Sequence, residues 1–287
     1  MRNGSIGTAH ETVRKTMNKT VFITGTSSGI GQLTALYFAK RGWNVAATMR
    51  NPDKDKELGN FSNIKRYRLD VTDANSIQNA LEAAIKDFSR IDVLVNNAGY
   101  GADGVFEAMS DQVIEKQFDT NVFGLMRVTR ALIPHMRENK GGIIIQIASV
   151  GGRVTFPLYS IYHGTKWAVE GFSEALHYEL LPFNIKIKII EPGSIKTEFY
   201  GSSRQFIMRD DLTMYKNFVE KAEKLSQETG KNGEPPELVA QEIFKAAIDG
   251  SNKMRYPIGQ PAPLLLILRK LLPDSLYFYL IRKIYKI

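Results

Sequence analysis

The chain has no cysteine. Disulfides and thiolate metal sites are therefore excluded, a reducing compartment is compatible, and redox chemistry has to come from a bound cofactor. Histidine is scarce, and His135, His163 and His177 lack the spacing of metal ligands, so packing or surface roles are expected for them. Long apolar runs are missing as well. No stretch approaches the ~18–20 apolar residues that span a bilayer. Residues 1–18 are polar, with His10, Glu11, Arg14 and Lys15 where a signal peptide would be apolar, and read as a flexible extension. These features point to a cytoplasmic protein.

Acidic residues are rare only at the ends. The formal net charge is +8, but residues 253–287 hold seven Lys and Arg against Asp274 alone, and residues 1–19 hold four against Glu11. The body between them is close to neutral. That distribution argues against an extended nucleic-acid face, and no nucleic-acid module is recognisable in the body.

What is present is ordinary for one folded domain: 287 residues, 43% hydrophobic and 24% charged. Short β-branched or apolar runs at 20–24, 44–48, 65–69, 92–96, 142–148, 186–191 and 253–256 alternate with helical patterns. The helical patterns include 31–40, 74–87, 111–139, 159–181 and 236–249. This alternation predicts an α/β fold, a doubly wound (Rossmann) parallel sheet of about seven strands in a single domain over 19–260. Residues 199–235 break the rhythm after the sixth strand, where parallel sheets carry ligand covers, and are expected to form a substrate lid. Residues 261–287 form a basic amphipathic tail, two short helices split by Pro273. Such helices can cover a pocket, pack in an oligomer or make peripheral membrane contact, and packing or pocket cover is favoured.

The first strand runs into Thr24-Gly25-Thr26-Ser27-Ser28-Gly29-Ile30-Gly31 at the start of a helix. Gly25 suits a tight turn, Gly29 lets the backbone approach a pyrophosphate, and Gly31 lets helix and strand pack closely. Ser27 and Ser28 can add hydroxyl hydrogen bonds to the phosphates. At the end of strand two, where NAD-binding folds of this kind place a carboxylate, the chain has Arg50, which can pair with a 2′-phosphate. NADP(H) is the expected cofactor. Tyr162 and Lys166 stand at i and i+4, on one helix face, so the ammonium can favour ionisation of a phenol whose ordinary pKa is about 10. Ser149, at the end of strand five, can hydrogen-bond a substrate oxygen where charge develops.

The glycine turn resembles the TGxxxGIG motif of short-chain dehydrogenases/reductases, and the resemblance spans about residues 19–257. Asn96-Asn97-Ala98-Gly99 is similar to the family's NNAG element, Asn121 to its active-site asparagine, and Ser149, Tyr162 and Lys166 to its catalytic set. Pro192, Gly193, Ile195 and Thr197 fall on its PGxxxT turn, and Asp70 with Val71 on its adenine-contacting pair. The ATMR-like turn before Asn51 is closest to 17β-hydroxysteroid dehydrogenase-like members.

The resemblance implies catalytic roles for Asn121, Ser149, Tyr162 and Lys166. It implies cofactor contacts from Gly25, Ser27, Ser28, Gly29, Ile30, Gly31, Arg50, Asp70, Val71, Asn97, Ala98, Gly99, Tyr162, Lys166, Pro192, Gly193, Ile195 and Thr197. Asp70 could equally cap the helix that follows it. Ser149, Val150, Phe156, Tyr159, Tyr162 and Phe199 are the substrate candidates, with Tyr100, Pro157 and Tyr200 nearby, and their apolar or aromatic character favours a small lipophilic substrate such as a steroid, retinoid or acyl lipid. The implied activity is NADP(H)-dependent interconversion of an alcohol and a carbonyl, and the implied assembly a homodimer or homotetramer. A catalytically silent NADP(H) sensor or scaffold is the competing expectation, which the intact Ser149, Tyr162 and Lys166 disfavour.

Overall fold

The structure is a computed structural model that describes residues 18–197 and 204–287. The expected extension up to residue 17, Phe199 and Tyr200 lie outside the described residues. Among these residues the chain forms β1 (Thr20–Thr24), α1 (Gly29–Ala39), β2 (Asn44–Met49), β3 (Ile64–Arg68), α2 (Ala74–Phe88) and β4 (Val93–Asn96). There follow β5 (Gly101–Gly104), α3 (Asp111–Phe118), α4 (Leu125–Glu138), β6 (Gly142–Ile147), α5 (Ser160–Leu180) and β7 (Ile185–Pro192). The last elements are β8 (Arg204–Ile207), α6 (Lys216–Lys231), α7 (Pro236–Ile248), β9 (Arg255–Ile258), α8 (Ala262–Leu271) and α9 (Asp274–Tyr285).

Seven strands make one parallel sheet in the order β3-β2-β1-β4-β6-β7-β9, the doubly wound arrangement expected. Strand alternation sets its two faces. Val21 and Ile23 of β1 pack with Phe38 of α1 and Val239 and Ile243 of α7, while Phe22 packs with Leu81 of α2, Leu132 of α4 and Leu176 of α5. With both faces covered, the strands read as continuous apolar runs, and each buried large aliphatic side chain stabilises the fold by about 1.5–3 kcal/mol. The chain reverses its winding direction between β1 and β4, so their carboxyl ends open a crevice suited to a ligand.

Three local readings need correction or refinement. The helix expected over 111–139 is interrupted by a π-helical turn, Asp119–Gly124. A single π-turn is too short to show in a period read over a whole helix. Asp70 is not the cap of α2: Asp73 is, accepting hydrogen bonds from the backbone N–H groups of Asn75 and Ser76, while Asp70 accepts from the Thr72 backbone and hydroxyl at 3.0 and 2.8 Å. Within 199–235 the chain forms β8 and α6, and β8 pairs in parallel with β5 as a small second sheet.

Candidate active site

One cavity of about 1530 Å³ runs from the carboxyl ends of β1 and β4 to the helices α8 and α9. At its first end, Gly29 has φ +58°, and a Cβ built there meets nothing within 4 Å. The backbone thus faces open space at the N-terminus of α1, where N–H groups favour an anion. Gly31 is constrained the opposite way: a Cβ would stand 2.2 Å from the Gly25 carbonyl oxygen and 2.4 Å from Asn97 Nδ2. Asn97 Nδ2 donates to the carbonyls of Thr24 and Gly25 at 2.9 and 3.0 Å. In return, Thr24 Oγ1 accepts from the backbone N–H groups of Asn97 and Ala98, both at 3.0 Å. These bonds staple the ends of β1 and β4 together and fix the turn. Gly25, Ser27, Ser28, Ile30, Ala98 and Gly99 line the wall around it.

Arg50, Asp70 and Val71 line the flank. Burial pushes the Asp70 carboxyl up, but hydrogen bonds from Thr72 and the nearby Arg50 and Arg68 charges prevail and hold it below the usual value. The open cradle, the absence of an acid in the first turn of α1 and the cationic flank together fit a phosphate-bearing dinucleotide. Pro192, Gly193, Ile195 and Thr197 line the opposite wall.

In the middle of the cavity, α5 presents Tyr162 and Lys166 and the end of β6 leads to Ser149. Lys166 Nζ donates to the Ile147 carbonyl at 2.8 Å and lies 5.8 Å from the centre of the Tyr162 ring. Desolvation pulls its ammonium down to about 8, against the raising effect of Glu170. The Ser149 hydroxyl accepts from Gly151 N–H at 3.0 Å and reaches the Pro192 carbonyl at 3.4 Å. Asn121 is bonded to the residue beside Lys166 and to the backbone of Tyr100. Its Oδ1 accepts from the Tyr100 backbone N–H at 3.1 Å, and its Nδ2 donates to the Tyr100 carbonyl at 2.9 Å and to Thr165 Oγ1 at 3.3 Å. The π-turn therefore uses Asn121 to clamp the β4–β5 connection to α5, and the residue is absent from the cavity lining.

One turn beyond Lys166, buried Glu170 faces Glu191 of β7. Arg255 donates to Glu170 at 3.0 Å and Arg153 to Glu191 at 3.2 Å. Burial and the repulsion of Glu191 raise the Glu170 carboxyl despite Arg255, and burial likewise raises Glu191.

The far end is largely apolar, with Arg204, Gln205, Ser226 and Thr229 as its polar lining. Val150, Phe156 and Tyr159 line it, whereas Pro157 does not. The Tyr159 hydroxyl bonds Ser226 Oγ of α6 at 2.5 Å. His163 belongs to this wall: burial pushes its imidazole down to about 4, so it is neutral at physiological pH, and its Nδ1 accepts from Phe156 N–H at 3.3 Å. Further apolar wall comes from Leu225 of α6, Leu265 of α8 and Ile281, Ile284 and Tyr285 of α9. The amphipathic pattern marked these helices but not the face they bury.

Over this end, Arg204 of β8 donates through Nε to Asp103 of β5 at 2.8 Å and through Nη1 to Glu223 of α6 at 2.7 Å. The three buried or half-buried charges tie β8 and α6 to β5. Among the described residues no group of three His, Asp or Glu could hold a metal ion, and no helix is long and apolar enough to cross a membrane.

Residues 19–207 match the short chain dehydrogenase family, and the chain belongs to that family: it is an oxidoreductase of the short-chain dehydrogenase class. It is similar to a 3-ketodihydrosphingosine reductase of Bacteroides thetaiotaomicron, 32% identical over 271 residues that cover 93% of this chain and 98% of the relative. A short-chain dehydrogenase structure from Streptomyces avermitilis superposes with a TM-score of 0.80 at 32% identity, covering 92% of this chain and 94% of that one. ElxO, solved with NADP bound, is similar with a TM-score of 0.70 at 29% identity, covering 84% of this chain and 97% of its own.

Proposed function

We propose that this protein is an NADP(H)-dependent oxidoreductase that interconverts a ketone and a secondary alcohol on a lipophilic, long-chain substrate. The observation that carries the reading is the single cavity in which a phosphate cradle, Ser149, Tyr162 and Lys166, and an apolar wall follow one another. Arg50 in place of a carboxylate supports NADP over NAD, as does the NADP held by ElxO. The apolar far wall supports a lipid ketone, as does the relative that reduces 3-ketodihydrosphingosine.

The nicotinamide cofactor supplies the hydride when bound. Tyr162 donates its hydroxyl proton to the carbonyl oxygen during reduction and takes it back during oxidation. Lys166, cationic below about pH 8, favours the phenolate that remains. Ser149 orients the substrate oxygen by exchanging its long 3.4 Å bond to the Pro192 carbonyl for one to the substrate.

Calorimetric titration with NADPH and NADH at matched ionic strength, followed by NADPH oxidation with long-chain 3-keto lipids, tests this. Tighter NADPH binding and turnover of lipid ketones are expected, with steroid and retinoid carbonyls as the comparison panel. Binding of neither nucleotide overturns the reading, and NADPH binding without turnover of any carbonyl would point to the sensor role.

A further inference from the structure

The helices that close the far end of the cavity have a second face. Inward, Ala262 and Leu266 of α8 and Tyr277 and Ile281 of α9 are buried against Val150 and Val154. Outward, Leu264, Ile267 and Leu271 form a stripe at i, i+3 and i+7 along α8, with Leu271 71% exposed. On α9, Leu276, Phe278, Tyr279 and Ile284 are exposed as well. Seven large apolar side chains exposed on two consecutive helices are unusual on a free surface and mark an interaction site.

The charges carried by the two helices are nearly all of one sign. Lys270, Arg282 and Lys283 are exposed on the same two helices and Lys286 directly after them, and Asp274, the single acid from 253 to 287, is already paired with Arg269. A second copy of this chain docking through the same two helices would bring two such cationic sets together, with Asp274 the single acid on each and already paired. An anionic lipid surface satisfies both features: acyl chains accept the apolar stripe and headgroup phosphates accept the cations. Ile284 connects this surface to the cavity, since it is 55% exposed and also lines the pocket.

We infer that the outer faces of α8 and α9 seat the protein in the interface of an anionic bilayer, with the mouth of the substrate cavity against the lipid. A lipophilic substrate then passes between bilayer and cavity without crossing water. Both helices lie along the surface, because neither is long enough to span it. Docking stands apart from the reductase reading, since it is read without turnover.

The full-length protein is floated with vesicles of equimolar phosphatidylcholine and phosphatidylglycerol, and with phosphatidylcholine alone. Binding to the anionic vesicles, weakened by salt and much lower on phosphatidylcholine, is expected. Arg282→Glu with Lys283→Glu is expected to reduce partitioning at least ~10-fold, and Ile267→Glu with Leu271→Glu to reduce it similarly. All four positions are exposed and outside the cavity lining, so melting temperature and NADPH affinity stay at wild-type values. Absence of wild-type binding to anionic vesicles overturns the inference. So does binding that both double variants retain, or a wild-type dimer in solution that Ile267→Glu with Leu271→Glu dissociates.

Discussion

The two ends of the cavity are held by different physics. At the cofactor end, polar side chains are tied into the backbone of the central sheet: Asn97 to the Thr24 and Gly25 carbonyls, and Lys166 to the Ile147 carbonyl. At the substrate end, the walls come from segments far apart in sequence and meet through apolar packing and the Arg204 latch. The first end is preorganised by the sheet, which suits a cofactor and a proton transfer that need one geometry. The second rests on contacts between separate segments, the kind of structure from which gating elements are drawn.

The largest effect separating the two ends belongs to Tyr162. Tyr162→Phe removes the proton donor and keeps the ring, so turnover is expected to fall roughly 10²–10⁴-fold while NADPH affinity stays unchanged. Steady-state NADPH oxidation alongside calorimetry checks both. Wild-type turnover in the variant would remove Tyr162 from the chemistry.

The latch comes next. Arg204 and Asp103 have side chains only 8% and 1% exposed, so Arg204→Leu leaves a buried carboxylate without its cation. Such losses cost about 3–5 kcal/mol. With about 3 kcal/mol of that loss on the packing of β8 and α6 over the cavity, kcat/KM for the lipid ketone is expected to drop roughly 10²-fold, with NADPH affinity unaffected. Adding Asp103→Leu replaces the pair by apolar groups and is expected to recover much of the loss, since Glu223 keeps Gln227 as a partner. An equal fall in NADPH affinity would show that the two ends are not independent.

The same contrast explains what the sequence disclosed. Strands β1, β2, β4, β6 and β7 are β-branched runs buried on both faces and bounded by turns, so their positions were legible to within a residue or two. The glycine turn and the Ser149, Tyr162 and Lys166 spacing were legible because one element or one crevice holds them. β5 was not, because Gly-Ala-Asp-Gly has little strand propensity and is held as a strand by pairing with β8 and by the Arg204 bond to Asp103. The inward turn of Ile281 and Tyr285, the Tyr159 bond to Ser226 and the facing of Glu170 and Glu191 are products of tertiary packing between distant segments. Local periodicity carries no trace of them.

Arg50 sharpens the comparison within the cofactor end. Charge-assisted hydrogen bonds contribute about 1.5–3 kcal/mol, so Arg50→Asp is expected to weaken NADPH roughly 10- to 100-fold and shift preference toward NADH. Lipid-ketone KM at saturating cofactor should not move. Unchanged NADPH-to-NADH selectivity in paired titrations would take Arg50 out of cofactor recognition.

The smallest effect concerns the carboxyl pair behind Lys166. Wild-type kcat/KM, which reports groups of the free enzyme, is expected to fall as pH rises through about 8, where Lys166 loses its proton. The Glu170 carboxylate raises that ammonium, so Glu170→Gln moves the fall to lower pH. Stability changes in the complementary range. Because burial and Glu191 raise the Glu170 carboxyl above its ordinary value of 4.5, its contribution is fully present below that pH and is lost as pH rises through the raised folded value. Glu170→Gln removes the proton that is lost, and the melting-temperature profile between acid and mildly alkaline pH should flatten. A merely structural role would lower the melting temperature at every pH and leave the kcat/KM limb in place. That outcome would detach the carboxyl pair from the catalytic lysine.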